Sequence, residues 1–245
     1  MALPWLTRPG LAGGIDKDGS RAAELLGLGF GSVEFGSVTV NPVAGSNPGI
    51  AALVARLARQ DRSAASRTAI GIGLSLSPEA VADSLADEWQ AGLGAAWQVA
   101  DYLSLNLSAK ANQLYLATSH RAHLMAALRA VAACRERLVR LNCRRVALAV
   151  KMPLGEAAGL WATLAGCGFE QLTVVLPDHR ERYAALAQLA SGSGGPVVVA
   201  VGGVRCAGDM VAARAAGAAA VQVHRLFVEQ GAACLSLLDQ SLMVR

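Results

Sequence analysis

The chain has 245 residues, 53% of them hydrophobic and 16% charged, with a net charge of +4 and a pI near 9.0. That composition excludes a disordered chain and predicts a large buried core, at a length that suits one α/β barrel as well as two small domains. Aromatics make up only 4%, too few to interleave with basic residues across a nucleic-acid face, and no uninterrupted apolar run reaches the roughly 18 residues of a membrane span.

Apolar, β-branched runs recur in chain order at residues 11–14, 32–38, 68–74, 102–107, 145–152, 171–176, 197–201 and 219–223. Amphipathic or alanine-rich stretches lie between them at 20–28, 48–59, 78–100, 114–141, 156–166, 180–190, 207–216 and 226–242. Strict alternation over eight units, with strands apolar on both faces, predicts a single (β/α)8 TIM barrel over residues 1–245. A doubly wound open sheet is the competitor, because pattern alone does not distinguish closure from an open edge. Ser77-Pro78-Glu79 reads as a helix cap with proline at the first helical position. Gly217 reads as the end of a helix leading into the last strand.

The arginines at 135, 137, 140, 144 and 145 fall on or just after one long helix and read as its solvated end. Five cysteines without any Cys-x-x-Cys pattern give neither a zinc site nor a disulfide framework and read as small core residues. His120 and His123 share a helix face without further ligands, so no metal site is expected. The N-terminus lacks the basic start and apolar run of a secretory signal, which predicts a soluble, cytoplasmic protein. The oligomeric state, homo- or hetero-oligomeric, is open.

In such a barrel the functional side chains sit just past the C-terminal strand ends. After the first strand, Gly13 and Gly14 allow a flat ligand to approach backbone, and Lys17 brings a positive charge near it or is a surface lysine in a turn. Thr39 follows the second strand, and Asn106, Ser108 and Lys110 follow the fourth. Lys151 ends the fifth, where an inward ammonium needs an anionic or electron-rich partner, a ligand or a carboxylate such as Asp16 or Glu34. Gly202-Gly203 end the seventh, where exposed amides cradle phosphate. Arg225 ends the eighth, as a bidentate phosphate contact or as part of a strand cap.

Several of these segments resemble the dihydroorotate dehydrogenase family. Residues 11–19 are similar to its Ala-Ala-Gly-Phe-Asp-Lys-Asn-Gly signature, and residues 29–42 to Gly-Phe-Gly-x-Val-Glu-x-Gly-Thr-Val-Thr-Pro, with Gly45-Ser-Asn-Pro48 extending the likeness. Asp101–Asn106, Val150-Lys151-Met-Pro153 and Pro196–Val204 match further family segments. The resemblance implies an FMN-dependent oxidoreductase of CH–CH groups in pyrimidine biosynthesis, with a small-molecule substrate. FMN would be held by Gly13, Gly14, Lys17, Thr39, Asn106, Lys151, Gly202, Gly203 and Arg225.

Departures from the family cluster on the substrate side. Ala109 and Ala111 replace the family's catalytic base and substrate asparagine, leaving Ser108 or Lys110 as substitute bases. The Asn-Arg-x-Gly-Phe motif is missing between Arg59 and Ala69, Leu176-Pro-Asp-His179 replaces Thr-Asn-Thr-Thr, and His224-Arg225-Leu226 replaces Tyr-Thr-Gly. The barrel signature begins almost at once, so no quinone partner is expected. These changes imply a substrate altered from dihydroorotate. The competing expectation is a non-catalytic or repurposed barrel that binds a phosphate-containing ligand or a protein partner. A phosphate-sugar barrel enzyme would explain Gly202-Gly203 but not Lys17, Asn106 and Lys151 together.

Overall fold

A computed structural model describes residues 3–61, 68–179 and 181–239. Its parallel strands are β1 (Gly10–Leu11), β2 (Ser32–Val38), β3 (Ala69–Leu74), β4 (Tyr102–Asn106), β5 (Ala147–Pro153), β6 (Gln171–Val175), β7 (Val197–Val201) and β8 (Ala220–Val223). They pair in sequence order, and β8 returns to β1 through Gly10↔Gln222 and Leu11↔Val223. The sheet is therefore a closed barrel, and the open-sheet alternative falls.

Helices α1 (Ala22–Gly27), α2 (Gly49–Leu57), α3 (Leu85–Ala96), α4 (Arg121–Asn142), α5 (Leu154–Ala157), α6 (Trp161–Gly166), α7 (Arg182–Ala190), α8 (Ala207–Ala215), α9 (Arg225–Gln230) and α10 (Cys234–Leu237) lie between and after the strands. Several are shorter than the pattern suggests. The stretch from Pro78 starts with a turn, Ala80 N–H donating to Ser77 C=O at 3.0 Å, and α3 begins only at Leu85. The Tyr115 hydroxyl donates to Ala80 C=O at 2.6 Å and ties that turn down, so Pro78 is not a first helical residue. Gly231, at φ +55, separates α9 from a short 3-10 turn and α10. Gly217, at φ +90, caps α8 as expected, with Ala218 N–H donating to Ala213 C=O at 3.0 Å. The outer ends of the expected helices at Arg180 and at 240–242 lie outside the described residues.

The strands are not apolar on both faces. Outward residues such as Val33, Phe35, Ile72, Leu103, Leu148, Leu172 and Val221 join the helices in one buried apolar layer. The inward row carries Glu34, Ser104, Lys151, Gln171, Thr173 and Gln222, all buried. Buried polar groups are costly without partners; some contacts here cross the lumen, while Ser104 Oγ and Gln222 Oε1 have no hydrogen-bond partner among the described residues. Gln222 Nε2 of β8 donates to the Tyr102 hydroxyl of β4 at 3.2 Å. The Trp5 indole N–H, preceding β1, donates to Gln171 Oε1 of β6 at 3.3 Å.

Tyr102 fills the N-terminal end of the barrel and stacks on Trp5 with ring centroids 5.4 Å apart. Burial, then the Glu34 carboxylate, pushes its phenol well above the usual value. The ring fits because β3 offers no side chain at Gly71, where a Cβ would lie 2.1 Å from the ring.

Arg135 is not part of a solvated helix end. It is 1% exposed and donates to both Glu170 oxygens at 2.7 and 2.8 Å and to Gly168 C=O at 3.0 Å. Arg145 reaches the same Glu170 at 2.8 Å, and Arg144 donates to Ala100 C=O at 2.7 Å. These arginines fasten α4 to the strand entrances. Only Cys134 and Cys234 are core cysteines, whereas Cys143 and Cys206 are exposed. No metal-holding His/Cys/Asp/Glu group occurs among the described residues, and His123 instead pairs with Asp83 at 3.2 Å. No helix among them is long and apolar enough to cross a membrane.

Gly71→Ala is expected to destabilise the fold by about 1–3 kcal/mol, the usual cost of overpacking a filled core, as read from the urea-unfolding midpoint.

Candidate functional site

At the C-terminal mouth, the chain leaves β1 through a turn organised by Asp16. Its carboxylate accepts from the backbone N–H groups of Asp18, Gly19 and Arg21 at 2.8–3.1 Å. The turn presses Gly13 onto Glu34, where a Cβ would stand 2.8 Å from Oε1. Glu34 in turn faces Lys151, whose Nζ lies 3.4 Å from the same oxygen. Lys151 is 8% and Glu34 1% exposed, and Glu34 Oε2 is buried without a hydrogen-bond partner among the described residues. The carboxylate partner foreseen for Lys151 is therefore Glu34 rather than Asp16, and the ammonium still borders open space on both sides.

One cavity, of about 460 Å³, opens between the ends of β1, β2, β3 and β4. Gly13, Gly14, Lys17, Thr39, Asn106, Ser108 and Lys151 all line it. Thr39 is not free to donate from its hydroxyl, which donates to Asn41 C=O at 2.6 Å and leaves only acceptor capacity toward the cavity. Asn106 Nδ2 donates to Ser37 Oγ at 2.6 Å, and its Oδ1 accepts the Ser108 N–H at 3.0 Å and hydroxyl at 2.7 Å. Ser108 lines the cavity beside Asn106, on the side that a two-residue strand period from Asn106 also gives. Lys110 is exposed and lines neither this cavity nor the next. Asn112 is buried and donates to Ser75 Oγ at 2.9 Å and Asn106 C=O at 2.7 Å, so it holds the loop and does not replace the asparagine lost at Ala111.

The second cavity, of about 480 Å³, extends from Gly13 and Lys151 to the ends of β6, β7 and β8. Gly202 and Gly203 line it at φ +97 and +68, a backbone setting that suits glycine. Leu176, Arg182, Arg205, Asp209, His224, Arg225 and Leu226 complete its wall. The Asp209 carboxylate accepts from the Arg205 and Cys206 N–H groups at 2.8 and 3.2 Å and caps α8 from within the chain. His224 stands at the rim. Partial burial first, then the charges of Lys151 and Arg225, lower its pKa below the ordinary histidine value.

The structure thus brings Gly13, Gly14, Lys17, Thr39, Asn106, Ser108, Lys151, Gly202, Gly203 and Arg225 to one mouth and leaves Lys110 outside it. Sequence reasoning missed Arg182 and Asn47. Asn47 Oδ1 accepts the Thr39 and Gly49 N–H groups at 3.2 and 3.1 Å while its Nδ2 donates to Ser37 C=O at 3.2 Å. The Asn-Pro pair in a glycine-bearing loop signals such a side-chain-to-backbone turn. Arg182, on the first turn of a helix, carries no comparable signal. The missing Asn-Arg-x-Gly-Phe segment falls partly on residues 62–67, outside the described residues.

Lys151→Met strands the buried Glu34 carboxylate and is expected to cost about 3–5 kcal/mol. The double variant Glu34→Gln/Lys151→Met should recover most of that loss in the same denaturant titration. For His224, the folded state favours the neutral ring, so the unfolded chain takes up the proton first as pH falls. Its contribution is complete above the ordinary histidine range and is lost as pH falls from there toward the lowered value. His224→Gln should flatten that part of the stability profile, and NMR should place the ring's titration below that of an exposed histidine.

No protein-family model matches the chain. A dihydroorotate dehydrogenase (quinone) of Stenotrophomonas maltophilia is 28% identical to it, across 93% of this chain and 78% of that protein. Another, of Methylococcus capsulatus, is 28% identical across 96% of this chain and 83% of its own length. A crystal structure of DHODH from Eimeria tenella in complex with ferulenol superposes with a TM-score of 0.77 at 20% identity, covering 97% of this chain and 80% of that one. The ligand-free Eimeria protein also gives 0.77, at 19% identity. The solved structures share the barrel fold, and along nearly its whole length the chain is similar to curated dihydroorotate dehydrogenases (quinone).

Proposed function

We propose that the chain is an FMN-binding oxidoreductase of the dihydroorotate dehydrogenase type, acting on a reducible small molecule altered from dihydroorotate. One observation carries the reading: the two cavities share Gly13 and Lys151, giving a cleft for a ligand that is flat at one end and anionic at the other. The residues fit FMN on that count. Gly13 admits no side chain above Glu34, Gly202 and Gly203 offer backbone amides at the anionic end, and Lys151 offers a cation between the two.

Bound FMN would supply a hydride acceptor. Gly13, Gly14, Thr39 and Asn106 would then form the shelf for its ring, with Lys17 at the open edge. Ser108 donates its own proton to Asn106, so it presents oxygen lone pairs to a substrate. A neutral hydroxyl without an adjacent base takes a carbon-bound proton poorly, which favours substrates that need orientation more than proton abstraction. Between the two proposed bases, cavity lining supports Ser108 and not Lys110.

The test is an absorbance titration of the purified protein with FMN. A perturbed flavin spectrum that is bleached anaerobically by a candidate substrate is expected, with dihydroorotate a poor reductant. Gly202→Val, which forces a branched side chain to φ +97, should abolish flavin uptake while far-ultraviolet circular dichroism stays unchanged. Colourless protein that takes up no FMN would sink the reading. Ala109 favours one second reading, a repurposed barrel, which predicts that colourless result together with retained binding of inorganic phosphate.

A further inference from the structure

Arg182 has an unusual set of contacts. Its side chain is 15% exposed and lies over the Tyr183 ring, 4.9 Å from the centroid. Asp178 Oδ1, the Gly203 carbonyl and the Tyr183 hydroxyl each stand 3.5 Å away, and Asp209 Oδ1 stands at 3.8 Å. All of these lie at or beyond the outer limit of hydrogen bonding. Nε is buried with no hydrogen-bond partner among the described residues. The fork is nonetheless held close to the glycine turn, with Nη1 2.9 Å from where a Cβ on Gly203 would be.

The surrounding anions do not satisfy it. Asp178 is 95% exposed, and Asp209 is committed to the amides at the start of α8. That commitment also means the α8 terminus is already occupied by the chain's own carboxylate, so an incoming anion must draw on other positive groups. Arg205 pairs with Glu229 at 2.6 Å. Arg182 and Arg225 are the cavity's remaining arginines, and Leu226 stands where the resembling family places a glycine. A guanidinium braced by stacking, with its donors short of partners, matches the oxygen spacing of a phosphate.

We propose that Arg182 is a phosphate-binding residue of this cleft, closing its fork on a phosphomonoester dianion against the Gly202-Gly203 turn. The proposal rests on the reading of the cleft as a flavin nucleotide site and assigns the ligand's phosphate to an arginine at the head of α7. It gives the cup a charged side chain in place of the backbone donors that Leu226 keeps from close approach.

The experiment compares FMN with riboflavin, which lacks the phosphate, on wild type, Arg182→Ala and Arg182→Lys, following flavin fluorescence. Arg182→Ala should weaken FMN by about 10- to 100-fold, the range for a lost charged hydrogen bond, and leave riboflavin unchanged. Arg182→Lys should recover part of the loss, since it keeps the charge without the fork. Equal weakening of both ligands, or unchanged FMN affinity, would overturn the proposal. If wild type binds neither flavin, the flavin reading itself fails and inorganic phosphate becomes the probe. Thermal stabilisation of wild type by phosphate that is lost in Arg182→Ala and partly kept in Arg182→Lys would then uphold the role of Arg182, and equal or absent stabilisation would refute it.

Discussion

A lysine and a glutamate facing each other across the barrel axis set the terms for the rest of the structure. β2 and β5 are not neighbours in the sheet, so the contact between Glu34 and Lys151 spans the lumen. Charges withdrawn from water are costly unless paired, and pairing them here leaves little space above and beside the carboxylate. Gly13 and Gly73 both approach Glu34 so closely that a Cβ would come within 2.8 and 3.4 Å of Oε1. The interior is consequently graded. Leu3, Tyr102, Ala147 and Ala149 fill the N-terminal end beside the neutral amides of Gln171 and Gln222, and the charged pair lies toward the mouth, where Lys151 forms the floor.

That floor divides the mouth into two chemically different halves. Around Asn106 the polar atoms are satisfied by one another through Ser37, Ser108, Asn112 and Ser75, which makes a rigid wall with defined acceptors. Around Gly202 and Gly203 positive charge is in excess, and the donors are not exhausted by the chain's own carboxylates. One half is suited to orienting a neutral or weakly polar group, the other to holding an anion.

The sequence made the barrel legible because the outward row is continuous: Val33 and Phe35, Leu103 and Leu105, Leu172 and Val174 mark strands by themselves. It hid the inward row, since Glu34, Ser104, Thr173 and Gln222 alternate with apolar residues in runs too short to separate a polar lumen from a noisy strand. Motif likeness put Lys151 and Gly202 at strand ends, and both line the mouth. It could not foretell that the Ser108 hydroxyl would be spent on Asn106 Oδ1, which depends on the turn after β4. Arg135 was misread for a related reason, whereas Arg137 and Arg140 are exposed as expected. Charge on a helix end looks solvated until the fold brings Glu170, thirty-five residues further on, against Arg135.

The clasp of Arg135 and Arg145 on Glu170 lies at the strand entrances, the pole opposite the mouth. Glu170 also accepts the Leu148 N–H at 2.8 Å, so one carboxylate joins a long helix, the start of β5 and the start of β6. That joint lies at the pole opposite the two cavities. Loops at the other pole are thereby released from structural duty, and they can shorten or exchange residues, as at Ala109, Leu176 and Leu226, without opening the sheet. In a lineage that drifts to a new ligand, such a division of labour lets chemistry change before stability does.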